Sequence, residues 1–274
     1  MKMKAFSAVC LKKNDDKLNT KAVYAAPFFN ENSSSPLDGM EKSYEEIFRV
    51  MKLLKVEKPV YKGSTQYLPD EKTPVDSEAA RDLAERVKNY SPEHPLYVVA
   101  IGAITNIASA ILLNPQVAEN IVVVWLGGHA HDFSVAEFNM MQDVAAARVV
   151  FGCGVPLVQL PCRGVVSSFT LSKPELEAWF YDKGDVADYL SRITVEHVEK
   201  TTSRKCWSKV IWDVTAVAWL LNDEDRFMKA KIITAPLPSY DNLYTQKPGN
   251  HSMRYVYFIN KDVLMTDLIE KITR

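Results

Sequence analysis

Unbroken hydrophobic runs separated by amphipathic segments dominate the middle of the chain. Residues 96–101 and Ile121–Leu126 are continuous apolar runs, and residues 156–160 are a third, mainly apolar segment. Apolar residues at every position, rather than at every second position, are typical of strands that are covered on both faces in a parallel sheet. The pattern therefore predicts three buried parallel strands, with the first two adjacent to each other.

Segments with helical spacing alternate with these runs. Apolar residues three to four positions apart from Tyr44 to Leu54 predict an amphipathic helix, and Ser77 is a plausible N-cap for a second helix. Further helices are predicted over residues 2–11, 102–113, 143–151, 175–180, 186–199 and 213–221. Further strands are predicted within the apolar run of residues 21–29, where the strand ends at Pro27, and over residues 60–61, 231–234 and 254–259. Strands joined by helices predict an α/β fold, a doubly wound, mainly parallel sheet with helices on both faces.

Length, composition and charge narrow the class of protein. The chain has 274 residues, of which 47% are hydrophobic and 24% charged, and we expect a single domain over residues 1–274. Thirty-three basic residues against 34 acidic ones give a net charge of −1, which argues against nucleic acid or a membrane surface as a partner. No apolar stretch reaches the roughly 20 residues that a bilayer requires, and no signal peptide is predicted.

Cysteine spacing bears on the cellular compartment. The four cysteines are far apart and form no CxxC pair, so neither a zinc site nor a disulfide framework is predicted. They are Cys10, Cys153, Cys162 and Cys206. A reduced, cytoplasmic environment fits this pattern.

Polar residues that follow the predicted strands are the first candidates for chemistry, because ligands of such sheets bind beyond the carboxyl ends of the strands. Gly102 lacks the further glycines of a dinucleotide fingerprint, and Asn106 is expected to bond backbone groups at the strand–helix turn. His129 and His131 lie two positions apart in a loop, a spacing that favours surface histidines over metal ligands.

Two carboxylates have apolar neighbours. Glu137, two positions before Asn139, could hold a polyol through paired hydrogen bonds, although its position alone favours a role at the start of a helix. Asp213 follows Ile211 and Trp212. A buried carboxylate must be paired, hydrogen-bonded or metal-bound, and helix capping and ligand binding remain equal alternatives for Asp213.

Taken together, these segments resemble the nucleoside hydrolases, the ribohydrolases that split the N-glycosidic bond of nucleosides. The matching stretches follow the family's order and spacing over about residues 20–220. They are VVAIGAITNIASAILLNP (98–115), IVVVWLGG (121–128), VAEFNMMQDVAAARVVF (135–151) and IWDVTAV (211–217). The resemblance implies a nucleoside hydrolase-like fold and hydrolysis of ribonucleosides to ribose and free base, with calcium as the cofactor.

The resemblance also implies roles for individual residues. The family's calcium is held by an N-terminal aspartate cluster, a backbone carbonyl and a late aspartate; the carbonyl falls on Ile101 and the late aspartate on Asp213. Hard oxygen atoms of this kind are the ligands that calcium requires. Glu137 and Asn139 match the residues that bind the ribose hydroxyls.

The resemblance also implies substrate contacts for three further residues. Asn30, at the end of AAPFFN, takes the place of the family's usual Gly-Asn and is expected to supply an amide to the substrate. Trp212 stands where many members have histidine, and it is expected to line the base pocket together with His131.

One departure from the family concerns its first strand. Family members begin with a strand that carries a DxDxxxDD-type cluster, which supplies two metal ligands and the general base, whereas residues 1–11 here match the helix after that cluster. Asp15 and Asp16 lie downstream of that helix and are not substitutes. We therefore expect a sheet with its first strand missing, no catalytic base in this sequence, and calcium bound weakly or not at all. A sequence that starts late and a degenerate homologue are the two explanations, and the cost of exposing a central sheet edge favours the first.

Three functions remain open. The leading hypothesis is a ribonucleoside hydrolase, whose activity in this chain is in question. A non-catalytic ribose-binding, nucleoside-binding or interaction protein on the same scaffold is the alternative, and an unrelated α/β hydrolase is disfavoured because no GxSxG motif is present. The expected partner is a small-molecule nucleoside, without nucleic acid or membrane, and the resemblance implies a homo-oligomer.

Overall fold

The computed structural model of the protein describes residues 18–133, 136–241 and 243–273. The helix predicted over residues 2–11, the thiol of Cys10 and the aspartates Asp15 and Asp16 lie outside the described residues.

The described residues form an alternating series of strands and helices. The strands are β1 (Val23–Tyr24), β2 (Val60–Tyr61), β3 (Leu96–Ala100), β4 (Ile121–Leu126), β5 (Leu157–Leu160), β6 (Thr170–Ser172), β7 (Ser208–Val210), β8 (Met228–Thr234), β9 (Leu237–Pro238), β10 (Tyr244–Thr245) and β11 (Ser252–Ile259). The helices are α1 (Pro36–Leu54), α2 (Glu78–Arg86), α3 (Thr105–Leu113), α4 (Gln116–Asn120), α5 (Phe138–Gln142), α6 (Val144–Gly152), α7 (Lys173–Phe180), α8 (Asp185–Thr201), α9 (Val214–Ala218) and α10 (Lys261–Ile272). Among the described residues, no helix has both the length and the apolar character needed to cross a membrane.

A five-stranded sheet organises the chain in the order β3-β4-β5-β11-β8. Strands β3, β4, β5 and β11 are parallel, and β8 pairs with β11 in the antiparallel direction. The register places Ala100 beside Trp125, and Trp125 beside Gln159. The carboxyl ends of β3, β4 and β5 therefore lie along one edge of the sheet.

Both faces of this sheet are covered. Alternate residues of β4 enter two hydrophobic clusters: Val123 and Trp125 pack with residues of α2, α3 and α6, whereas Val124 and Leu126 pack with residues of α8, α9 and α10. All four side chains are at most 1% exposed. A strand buried on both faces requires apolar residues at every position, which explains the sequence IVVVWL. The predicted doubly wound α/β fold is confirmed.

Strand β3 departs from its prediction. It lies beside β4 and parallel to it, as expected, but it was also predicted to be fully buried, and this is wrong. Leu96 and Val99 are half-buried, and 52% of Tyr97 is exposed. The physical reason is position: β3 is the edge strand of the five-stranded sheet, and no other strand of the described residues pairs with its outer side.

Strand β1 lies across a gap from this edge. It pairs in parallel with β2, and it is much shorter than the predicted strand over residues 21–29 because its ladder ends at Ala25, whose N–H donates to the carbonyl of Tyr61. A cavity of about 1160 Å³ is lined on one side by residues 21–24 and on the other by residues 96–101. Within the described part of the chain, two strand edges therefore face a cavity instead of a neighbouring strand. The expected absence of the first strand remains a prediction.

One amide joins the two sides of the gap. Asn106, at the start of α3, donates to the carbonyl of Ala25 at 2.8 Å and accepts from the backbone N–H and hydroxyl of Ser64 at 2.8 and 3.0 Å. The carboxyl ends of β1, β2 and β3 therefore meet at this side chain. Asn106 thus bonds backbone groups as expected, but these groups follow β1 and β2 and do not belong to its own strand–helix turn.

Local sequence signals predicted most helix positions but not the short antiparallel strand pairs. Ser77 accepts from the N–H of Ala80, as an N-cap does. The antiparallel pairs β6–β7 and β9–β10 and the C-terminal helix α10 were not predicted. Strands of two or three residues are too short to show a period, so tertiary contacts determine them.

Candidate functional site

Glu137 stands at the centre of the turn that follows β4. It is the N-cap of α5, and its carboxylate accepts three backbone hydrogen bonds, from Gly128 at 2.8 Å, Asn139 at 2.9 Å and Met140 at 2.9 Å. The residue is 6% exposed. Three N–H donors satisfy a buried carboxylate without a cationic partner. The role at a helix start that position alone favoured is thus present in the structure.

Asn139 lies beside Glu137 at the end of the same strand. Its side-chain amide donates to the carbonyl of Leu126 at 2.9 Å, and the residue is 6% exposed. The structure therefore brings together the two residues expected to bind the ribose hydroxyls. Each also bonds the backbone, so their ribose contacts remain a prediction.

The two histidines of the turn have different hydrogen-bond partners. Nδ1 of His129 accepts from the N–H of Arg163 at 3.2 Å. Nε2 of His131 lies 2.9 Å from Oε1 of Gln159, and its ring packs between the rings of Tyr244 and Tyr255, with centroids at 4.3 and 4.6 Å. Burial lowers the pKa of His131. Its ring is thus already enclosed by aromatic neighbours, and its contact with a base remains a prediction.

Asp213 and Trp212 lie at the start of α9. Asp213 is 7% exposed, and its side chain makes no capping hydrogen bond to α9, so the geometry does not support capping as the reason for its burial. Trp212 is partly buried against the cluster that contains α8 and α9. Burial lowers the pKa of Lys209 in β7, and the charge of Asp213 opposes this shift, so the ammonium group and the carboxylate lie within electrostatic reach. The convergence of Asp213 with Glu137 remains a prediction.

Asn30 forms part of a tight turn after β1. Its side-chain oxygen accepts from the N–H of Asn32 at 2.9 Å, and its own N–H donates to the hydroxyl of Ser33 at 3.1 Å. The neighbouring N–H of Phe29 donates to Oε1 of Gln142 at 2.7 Å, which ties the turn to α5. The expected amide contact of Asn30 with substrate is not tested by these bonds.

The donor set for calcium is small in the described part of the chain. Searched over those residues, the structure contains no group of three or more His, Cys, Asp or Glu side chains placed to hold a metal ion. The carboxylate of Asp213 and the carbonyl of Ile101 are the ligands that the resemblance assigns here, whereas calcium takes six to eight oxygen ligands. These residues by themselves do not fit a calcium site.

Two buried polar residues near the strand ends were not predicted. Gln159, in the apolar run of β5, is 0% exposed, and its amide donates to the carbonyl of Gly127 at 2.9 Å. Asp143 accepts from the N–H groups of Leu68 and Ala146 and from the hydroxyl of Thr105, and burial raises its pKa. A polar residue inside a strand of a sheet that is covered on both faces is a usable signal, because such a group must be hydrogen-bonded.

Comparisons of the sequence point to one family. A family model described as inosine-uridine preferring nucleoside hydrolase matches residues 32–254. The chain is 28% identical over 136 residues to a probable uridine nucleosidase 2 of Arabidopsis thaliana, covering 48% of this chain and 41% of that protein. It is 35% identical over 94 residues to an inosine-uridine preferring nucleoside hydrolase of Leishmania major, covering 32% of this chain and 30% of that protein. The chain thus spans less than half the length of these relatives.

Longer matches at lower identity agree with this result. A pyrimidine-specific ribonucleoside hydrolase, RihB, of Escherichia coli O1:K1 is 25% identical over 211 residues, covering 68% of this chain and 67% of that protein. Among solved structures, a purine-preferring ribonucleoside hydrolase from Gardnerella vaginalis has a TM-score of 0.79 at 15% identity, covering 99% of this chain and 95% of that chain. The plant nucleoside hydrolase PpNRh1 has a TM-score of 0.78 at 16% identity, covering 100% of this chain and 96% of that chain. Identities this low establish the fold alone.

Proposed function

Because the chain belongs to the inosine-uridine preferring nucleoside hydrolase family, we propose that it acts on ribonucleosides and hydrolyses their N-glycosidic bond to ribose and free base. The observation that carries the proposal is the pairing of Glu137 with Asn139 at the carboxyl end of β4, inside the matched residues. Ligands of parallel α/β sheets bind beyond this end of the strands.

In this proposal, the turn after β4 holds the sugar. One oxygen of Glu137 accepts from the N–H groups of Gly128 and Met140, whereas the other accepts from that of Asn139 and retains capacity for a further donor. A ribose hydroxyl can supply that donor. Trp212 and His131 are proposed to line the base pocket, and Asn30 to supply an amide.

The chemistry of the proposed reaction is a displacement at the anomeric carbon. Water attacks C1′ as the bond to the base breaks, and positive charge develops on the sugar in an oxocarbenium-like transition state. A carboxylate such as Glu137 close to the ribose would favour that charge. No residue of this sequence matches the family's general base, and no step is assigned to calcium because the donor set of Asp213 and Ile101 is too small.

The test measures binding and turnover separately. We expect the purified chain to bind inosine or uridine in calorimetry and to release base at a negligible rate at millimolar calcium, because a missing general base lowers turnover by a factor of about a hundred to ten thousand. Extending the chain with a family-type strand that carries the aspartates should raise turnover and calcium affinity together. Failure to bind either nucleoside would contradict the proposal.

A second result would revise the residue assignments. Robust hydrolysis by the 274-residue chain, abolished by Asp213→Ala, would mean that another residue supplies the base and that residues 1–11 are wrongly matched to the helix after the cluster.

Non-catalytic nucleoside binding is the second candidate function. The small calcium donor set among the described residues favours it, because that set limits catalysis and leaves the Glu137–Asn139 pair in place. Binding of inosine without base release, even after the N-terminal extension, would support this alternative. We also propose a cytoplasmic location and a homo-oligomer, which imaging of the tagged chain and light scattering would test.

A further inference from the structure

The hairpin formed by β9 and β10 reaches the turn that contains the Glu137 contacts. From this hairpin, the hydroxyl of Tyr244 donates to the carbonyl of His129 at 3.2 Å and accepts from the side-chain amide of Gln159 at 2.7 Å. Tyr244 lies 107 positions beyond Glu137, so its presence at the turn follows from the fold and not from proximity in sequence.

Gln159 connects the hydroxyl to the rest of the turn. Its amide nitrogen donates to Gly127 as well as to Tyr244, so its Oε1 is left to accept from Nε2 of His131 at 2.9 Å. Since the side chain is 0% exposed, each of these bonds replaces one that water would otherwise make. The orientation of Gln159 therefore depends on the Tyr244 hydroxyl as an acceptor.

Gly128 places Tyr244 next to the carboxylate. Its φ is +76°, and a Cβ at this position would lie 1.9 Å from the Tyr244 hydroxyl. The N–H of the same glycine donates to Oε2 of Glu137 at 2.8 Å. Gly128 thus contacts both the Tyr244 hydroxyl and the Glu137 carboxylate, and it is the single residue between them.

The hairpin is held in place independently of the turn. Arg148 of α6 donates to the carbonyl of Pro238 at 2.7 Å, and its guanidinium lies over the Tyr240 ring, 5.2 Å from the centroid. Asn250, just after the hairpin, donates to the carbonyls of Phe151 and Ala235 at 2.9 and 2.8 Å. Tyr244 therefore extends from a hairpin that is anchored on α6 and on the residues that follow it.

We propose that Tyr244 is a positioning residue for the ribose subsite: its hydroxyl fixes the turn of residues 127–131 so that the Gly128 N–H holds the Glu137 carboxylate beside Asn139. The assignment of a ribose subsite rests on the proposed function. The physical effect does not, because a turn that loses a buried hydrogen bond populates more conformations whatever its ligand.

Tyr244→Phe tests the role, since it removes the hydroxyl and keeps the ring that packs on His131. The matched control is Tyr240→Phe, the same chemical change in the same hairpin, at a side chain that contacts Glu71 and is 62% exposed. Two quantities are measured in the full chain: hydrogen exchange of the Gly128 amide by NMR, and the Kd for inosine by calorimetry.

For Tyr244→Phe we expect the Gly128 amide to exchange roughly tenfold faster and inosine to bind roughly three- to tenfold more weakly, the equivalent of one net hydrogen bond. Tyr240→Phe should leave both values at those of the unaltered chain. Unchanged Gly128 exchange in Tyr244→Phe overturns the proposal, including the case in which only the Tm falls, because that result shows a structural contact alone.

The proposal and the function on which it rests fail in different ways. If the unaltered chain does not bind inosine, the ribonucleoside function is contradicted, and faster Gly128 exchange in Tyr244→Phe still supports the positioning of Glu137. If inosine binds equally well to both proteins while Gly128 exchange rises, the turn is positioned by Tyr244 but does not form the ribose subsite, which overturns the inference as stated.

Discussion

The carboxyl end of β4 and the outer edge of β3 belong to the same sheet, and they satisfy their polar groups in different ways. At the end of β4, buried side chains such as Glu137, Asn139 and Gln159 bond backbone groups within the turn or the adjoining strands. Along β3, the outer edge faces a cavity of about 1160 Å³ and no strand of the described residues. The turn at the end of β4 is thus held by hydrogen bonds to its own backbone and to the adjoining strands. We therefore expect this turn to keep its structure when the outer edge of β3 is altered.

Removing the Glu137 carboxylate should have the largest effect on the stability of the turn after β4. Glu137→Ala leaves three buried N–H groups without an acceptor and removes an N-cap, so we expect the free energy of unfolding to fall by about 3 kcal/mol. Urea unfolding measures the change. Glu45→Ala, at an exposed position of α1, is the control and should change it by less than about 0.5 kcal/mol. A small loss for Glu137→Ala would mean that water replaces the carboxylate.

A pair of valines compares the interior of the sheet with its edge. Val123→Ala, at a side chain of β4 that is 0% exposed, should lower the free energy of unfolding by about 2 kcal/mol through lost burial and the space left behind. Val99→Ala, at a half-buried position beside the cavity, should cost less than about 1 kcal/mol. Urea titration of both variants gives the two values. Equal costs would show that the β3 side of the cavity is packed in solution.

The same contrast explains how far the sequence could be interpreted. The unbroken run IVVVWL gave the bounds of β4 because burial on both faces leaves a plain signal. The run over residues 96–101 has the same pattern, yet β3 lies at the edge of the sheet. A hydrophobic pattern indicates that a strand can be buried on both faces, but it does not show whether another strand pairs with it on each side.

The site residues also divide into those that could be predicted from the sequence and those that could not. Glu137 and Asn139 could be found because they are close in sequence and follow a strand. Tyr244 could not, because its contact with the turn depends on the pairing of β9 with β10, two strands of two residues each. Long-range contacts made by such short elements leave no period in the sequence.

The pH dependence of the turn after β4 gives the smallest expected effect. Burial lowers the pKa of His131, so its folded-state pKa lies below that of the unfolded chain. The unfolded state then binds more protons, and stability falls as the pH drops through about 6.5, the ordinary value for histidine. An NMR titration should show His131 with a pKa below the ordinary histidine value. Titration at the ordinary value would mean that the ring is hydrated and that the turn is more open than the structure shows.

The bridge made by Asn106 has a consequence for the order in which the chain folds. Its amide joins partners that lie 42 and 81 positions away in sequence, whereas β3, α3 and β4 are joined by short connections. Contacts between distant parts of a chain form late, because closing a longer loop costs more conformational entropy. We therefore expect β3, α3 and β4 to assemble first and the β1–β2 pair to dock onto them later. Asn106→Ala should then speed unfolding and leave the folding rate nearly unchanged.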